Sequence, residues 1–214
     1  MIATVVVIAK PPEPGRVKTR LVPPLTHEQA AAVAAAALRD TLDAVSAVPA
    51  AGHLLALDGA PGSWLGDLGP TWRVTGQVAG GLDARIVGAF AASAQMAGPA
   101  VLLGMDTPQV RPQQLAAFDP ARYDACLGRS ADGGYWAIGL RHADDAGRVI
   151  TGVPMSTGRT AAIQLRRLQR AGLRVQLLDR VDDVDTIETA RRVATLIPDS
   201  RFARTLRRLD PVVR

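Results

Sequence analysis

Apolar positions along the chain fall into two patterns, short continuous runs and wider faces at helical spacing. Thr4 to Ala9 (TVVVIA) is β-branched and almost wholly apolar, which predicts a strand buried on both faces that opens the fold. The segment after it, KPPEPGRVKTRLVPPL, carries five prolines and a glycine, so it cannot form a regular helix and reads as a long loop hanging from that strand. Thr26 then begins T-H-E-Q, a capping-box signature, ahead of an alanine-rich run from Ala30 to Val48 that predicts a helix. Short strands follow around His53 to Leu57 and Trp72 to Thr75, separated by a Gly/Pro-rich connection containing Trp64. From Leu82 to Met96 the apolar residues Leu82, Ile86, Ala89, Phe90 and Ser93/Ala94 recur as on one face of an amphipathic helix. Ala100 to Gly104 (AVLLG) reads as a second central strand, with Asp106 just past its C-terminal end.

Strand, helix, strand, helix in this order argues for a mostly parallel sheet covered on both faces. The second half is less regular. Ala125–Gly128 and Tyr135–Leu140 are short strands separated by RSADGG, whose Asp-Gly signals a turn and hence a small antiparallel excursion. Thr160–Arg170 predicts a helix, Leu173–Leu178 a strand and Ile187–Ile197 another helix. With no internal repeat or linker, the expectation is one α/β domain over residues 1–214.

Composition agrees. A chain of 214 residues, 48% hydrophobic and 21% charged, has the balance of a globular domain. At this length it buries roughly 70% of its unfolded surface and needs no disulfide or metal staple. The single Cys126 excludes an intramolecular disulfide and any zinc site of several thiolates, and it reads as a core residue. The run Ile2–Ala9 is far short of the roughly 20 residues of a membrane span, and no basic region precedes it. The expected setting is therefore the cytoplasm, with no membrane partner. Aromatic residues make up 4%, too few for base stacking, and Arg201, Arg204, Arg207 and Arg208 read as a solvated helix face rather than a nucleic-acid surface.

The net charge of +5 is modest, but its distribution is informative. Only two of the 25 basic residues are lysines, Lys10 and Lys18, and both lie in the proline-rich loop. Together with Arg16 and Arg20 they put four cations at the C-terminal end of a parallel strand, where open α/β sheets place their ligands. Phosphate is the natural partner, because a triphosphate needs converging cations and backbone N–H groups to replace its hydration. Asp106 in GMDTP, Asp132 in SADGGY and Asp185 in DDVDT, the last flanked by Asp182 and Asp183, also fall at strand ends. Hard oxygen ligands of this kind suit Mg²⁺ or Mn²⁺, although Asp106 alone could equally be an Asx-turn or a helix cap. His27, His53 and His142 have no metal-ligand spacing, and Ser156 and Thr157 read as caps of the following helix.

The stretches AKPPEPGRVKTRL (Ala9–Leu21), GMDTP (Gly104–Pro108), LGRSADGGYWAIGL (Leu127–Leu140) and DVDT (Asp183–Thr186), taken in order, resemble the radical-SAM/selenodomain-associated transferase 1 family. That family is a branch of the nucleotide-diphospho-sugar transferase superfamily with a GT-A-like fold. The resemblance implies a nucleotide-phosphate site at Gly15, Arg16, Lys18 and Arg20, with Lys10 beside it, and a divalent metal on Asp106 and Asp185. It further implies an acceptor side lined by Asp132, Gly133, Gly134 and Tyr135, and a catalytic set of Lys18, Asp106 and Asp132. The expected reaction is nucleotidyl transfer from a nucleoside triphosphate to a small phosphate- or carboxylate-bearing acceptor, with release of pyrophosphate. Sugar transfer from a nucleotide sugar is the nearest alternative, and non-catalytic nucleotide binding the next. The chain departs from its relatives in lacking a compact GxGTR turn, in carrying Met155 where tryptophan is usual, and in having Thr189-Ala190 after DVDT in place of Asp-Leu.

Overall fold

The structure, a computed structural model, describes residues 2–210 and Val212. The β-branched run forms strand β1 (Thr4–Ala9), and β2 (Gly52–Leu57), β3 (Trp72–Gly76), β4 (Ala100–Gly104), β5 (Ala125–Arg129), β6 (Tyr135–Leu140) and β7 (Val175–Leu178) join it in a seven-stranded sheet of order β3-β2-β1-β4-β6-β5-β7. β1 pairs parallel with both β2 and β4, and β6 alone runs against its neighbours β4 and β5. The sheet is thus mostly parallel with a one-strand antiparallel excursion. Sequential strands step outward from β1 to β3, then the chain returns to place β4 on the other side of β1. That reversal opens a crevice at the C-terminal ends of β1 and β4.

Helix α1 (His27–Ser46) begins at the anticipated box: the Gln29 N–H donates to Thr26 Oγ1 at 3.2 Å and the Thr26 N–H donates to Gln29 Oε1 at 2.8 Å. α2 (Leu82–Ala94), α3 (Pro112–Ala116), α4 (Ala146–Ile150), α5 (Thr160–Arg170), α6 (Ile187–Leu196) and α7 (Arg201–Leu209) complete the fold. Alternation along β1 sorts the core. Val5 and Val7 pack with Leu38, Leu42 and Val45 of α1 on one face, and Val6 packs with Ile86 and Phe90 of α2 on the other. Because both faces of β1 are covered, the run needs no polar positions. A further apolar layer joins α1, α6 and α7 through Ala30, Val33, Ala37, Val193, Phe202 and Leu206.

Some expectations need correction. α3 and α4 are absent from the sequence reading, since five residues are too few to establish a helical period. Leu82 does not join the buried face of α2; it is 42% exposed, because the helix starts there with Gly81 as N-cap and its first turn overhangs a cleft. Ser156 and Thr157 are not the N-cap of α5, whose cap position is Arg159. The Thr157 hydroxyl instead accepts from the Arg159 N–H at 3.3 Å and pairs with the Thr160 hydroxyl at 3.1 Å, while Ser156 sits at φ +57°. Among the described residues no helix is long and apolar enough to cross a membrane.

Candidate active site

The C-terminal ends of β1, β4, β5 and β7 and the N-terminal end of the reversed β6 lie along one edge of the sheet, so the loops after Ala9, Gly104, Arg129 and Leu178 meet there. Backbone hydrogen bonds tie them together. The Val184 N–H donates to the Asp106 carbonyl at 3.0 Å, and the Val181 N–H to the Arg129 carbonyl at 3.3 Å. The stretch after β7 is thereby drawn across the ends of β4 and β5. Between the loops lies a cleft of about 840 Å³ lined by Lys10, Arg16, Lys18, Arg20, Asp106, Asp132, Gly134, Tyr135, Asp183 and Asp185.

At its centre is Lys18. Its ammonium lies 2.7 Å from Asp106 Oδ2 and 3.3 Å from Asp185 Oδ1, with the side chain 6% exposed. Burial by itself would lower the lysine pKa, but the two carboxylates outweigh it and hold the group above its ordinary value, so the ammonium is charged at neutral pH. Lys18 also has a left-handed backbone, φ +51°, ahead of a single 3₁₀ turn over Thr19–Leu21 that buries Leu21. The other three cations are freer. Arg16 pairs with Glu13 at 2.5 Å, and Arg20, 75% exposed, reaches Asp185 at 3.6 Å. Lys10 is exposed at the mouth, its backbone N–H donating to Met105 Sδ at 3.3 Å.

The structure brings together Lys18, Asp106 and Asp185 from three distant parts of the chain. It also adds Asp183, which the sequence marks only as a neighbour of Asp185. Asp183 lies within the fields of Asp106, Asp132 and Asp185, and burial together with those neighbouring carboxylates pushes its pKa up to about 7. The signal was present in the Asp-x-Asp spacing of Asp183 and Asp185, but only the turn after β7 decides which carboxylate is the more enclosed. Gly15 and Gly133 stand beside the cleft rather than in its lining. Gly15, at φ +76°, makes the turn that brings Arg16 and Lys18 around. Gly133, at φ +89°, is packed against the Gly158 carbonyl where a Cβ would collide.

Asp132 Oδ1 accepts from the Gly134 N–H at 2.8 Å, which fixes the turn before β6 and aims Tyr135 at Met155, whose Sδ is 3.7 Å from the phenol oxygen. Burial, with a smaller contribution from Asp83, raises the Tyr135 pKa, so the phenol is a hydrogen-bond donor rather than a base. A further group was not legible in the sequence. Gln77, just past β3, donates to the Ala9 and Ala56 carbonyls at 2.8 and 2.9 Å, and Arg85 of α2 pairs with Asp58 at 2.5 Å. These residues brace the ends of β1 and β2 at the cleft wall, and nothing local in their sequence marks them.

Comparison with known proteins points the same way. A protein from Desulfovibrio desulfuricans G20, a candidate nucleotide-diphospho-sugar transferase, has a crystal structure 25% identical to this chain with a TM-score of 0.86, the match covering 100% of this chain and 98% of that one. CMP:2-keto-3-deoxy-manno-octonic acid synthetase in complex with CTP is 15% identical with a TM-score of 0.58, over 92% of this chain and 99% of that one. Rv0371c from Mycobacterium tuberculosis H37Rv, in complex with manganese, is 22% identical with a TM-score of 0.50, over 90% and 98%. The last two bear on the fold alone, which is that of the nucleotide-diphospho-sugar transferases and nucleotidyltransferases. No curated protein matches the sequence. A family model described as "Uncharacterized protein conserved in bacteria (DUF2064)" matches residues 41–157.

Proposed function

The chain belongs to the DUF2064 family, and from that premise we propose that it is a divalent-metal-dependent nucleotidyltransferase, of the radical-SAM/selenodomain-associated transferase 1 branch, acting as one unit over residues 1–214. The observation that carries this reading is Lys18, buried and bonded to both Asp106 and Asp185, in a cleft that Lys10, Arg16 and Arg20 also line. An enclosed ammonium among carboxylates, with exposed guanidinium groups at the rim, is an arrangement that suits a polyphosphate and its counter-cation.

Lys18 and Arg20 hold the departing phosphates, with Lys10 and Arg16 at the entrance. The acceptor lies on the Asp132–Tyr135 side, where the Gly134 backbone and the Tyr135 hydroxyl orient it. An acceptor phosphate or carboxylate oxygen attacks the α-phosphorus, the bond to the β-phosphate oxygen breaks, and pyrophosphate leaves. An anionic acceptor carries no proton that must be removed before it attacks, so the reaction needs no general base. Catalysis then rests on position and charge.

The residues fit a divalent cation. Asp106, Asp183 and Asp185 offer only hard oxygens and line one cleft, where a cation would offset their charge. Mg²⁺ and Mn²⁺ take few protein ligands and complete their shell with water and substrate phosphate, so one or two carboxylates suffice. When bound, the ion supplies Lewis-acid charge at the phosphate oxygens.

A second reading, sugar transfer from a nucleotide sugar, draws support from the Desulfovibrio relative. Product analysis separates the two: pyrophosphate marks the first, a nucleoside diphosphate the second, and neither product with any donor overturns both. A screen of nucleoside triphosphates and nucleotide sugars with Mg²⁺ or Mn²⁺ identifies the donor. A donor at 100 times its Kd adds about 2.7 kcal/mol, a rise in Tm of roughly 5–10 °C for a chain of this size.

A further inference from the structure

Lys18 holds the two carboxylates that a divalent cation would use. Its ammonium lies 2.7 Å from Asp106 and 3.3 Å from Asp185, enclosed by the loop, so it occupies the space between them. Two of its three N–H donors are taken by the carboxylates, which leaves at most one for the phosphates of a substrate lying further out in the cleft, so full engagement with them requires leaving the carboxylates. An ammonium and a divalent cation also cannot share that space, since both are cations drawn to the same carboxylate oxygens and repel each other at that distance. We propose that Lys18 is a built-in counter-ion: it holds Asp106 and Asp185 together until substrate arrives, excludes the metal from them, and is drawn away by the incoming polyphosphate, so that metal and nucleotide each strengthen the other's binding.

Charge accounting favours this exchange. Asp106 and Asp185 with one ammonium carry a net charge of −1, whereas with a divalent cation they are neutral and the released ammonium can neutralise phosphate. Arg20 cannot substitute as the bridge, because it is 75% exposed, stands 3.6 Å from Asp185 and has no bond to Asp106. Arg16 is held by Glu13. The left-handed backbone at Lys18 is consistent with a residue whose position the surrounding loop dictates. By linkage, whatever the polyphosphate gains from the metal, the metal gains from the polyphosphate.

The inference rests on the metal site of the transferase reading, and its test needs no turnover. Free aqueous Mn²⁺ is followed by electron paramagnetic resonance as it is titrated into the full chain without nucleotide. Lys18→Ala is expected to bind Mn²⁺ about tenfold more tightly than the parent, within the usual range of coupling energies, with Lys18→Gln moving in the same direction if the alanine variant does not fold. Adding Asp106→Asn to either variant should remove the gain. In a parallel titration with inorganic tripolyphosphate in EDTA, the Lys18 variants should bind more weakly than the parent. Mn²⁺ affinity unchanged or reduced in the Lys18 variants overturns the counter-ion role, as does a gain that survives Asp106→Asn. The transferase reading is judged separately, by whether the parent protein forms pyrophosphate or a nucleoside diphosphate.

Discussion

At Gly133 the backbone conformation and the surrounding space make the same demand. Its φ of +89° suits glycine, and the Gly158 carbonyl fills the place of a Cβ. Gly133→Ala must therefore push away the 155–158 turn that lines the cleft, and a loss of more than about 2 kcal/mol is expected in urea unfolding. His53 makes a different demand. It is 3% exposed, with its ring nitrogens 3.1 Å from the Thr71 hydroxyl and 3.3 Å from the Val48 carbonyl. Burial draws its pKa below the ordinary 6.5, and the backbone contacts only partly offset this. The unfolded chain therefore takes up a proton first as pH falls below 6.5, so this contribution is complete above that value and is lost progressively beneath it. His53→Gln should flatten that part of the stability curve between about pH 5 and 7, as read from urea midpoints; an unchanged curve would exclude His53 as its source. Asp106→Asn should lower kcat by about 10²-fold or more while leaving the circular dichroism spectrum unchanged. An unaltered kcat would remove Asp106 from the chemistry.

Elements were legible where one local rule sufficed. The continuous run of β1 and the box at Thr26 specify their structures without help, and the observed strand Thr4–Ala9 coincides with its expectation. Thr26→Ala removes an acceptor for the Gln29 N–H and should cost about 1 kcal/mol, seen as a fall in Tm of roughly 2–4 °C. Where elements are short or lie at an edge, tertiary context decides. β7 covers Val175–Leu178 and does not begin at Leu173, because the pairing that defines it starts at Val175 opposite Ala125 of β5. The exposed Leu82 likewise follows from where α2 begins relative to the cleft, which hydrophobic spacing cannot report.

Across the whole molecule, distant segments are locked by a few enclosed polar contacts. Asp210, past the end of α7, has a fully buried side chain that takes two hydrogen bonds from Arg191 of α6, at 2.7 and 3.0 Å. Because the Arg191 side chain is 31% exposed and can recover water, Asp210→Ala should cost about 1.5–3 kcal/mol, less than loss of a wholly buried pair. Loosening of α7 should appear in hydrogen exchange before the central strands open.

The sequence by itself determined a parallel α/β sheet, its principal helices, and a cationic loop and several carboxylates at strand ends. Each of these follows from short-range periodicity, capping or turn chemistry within a few residues. Only the tertiary structure decided that Lys18 meets Asp185 across 167 residues, that Asp183 is the more enclosed acid, and that Gln77, Arg85 and Asp58 brace the wall. Strand order and the path of the loop across β4 and β5 set those distances. They depend on how all seven strands pair, a property that no local window of the chain contains.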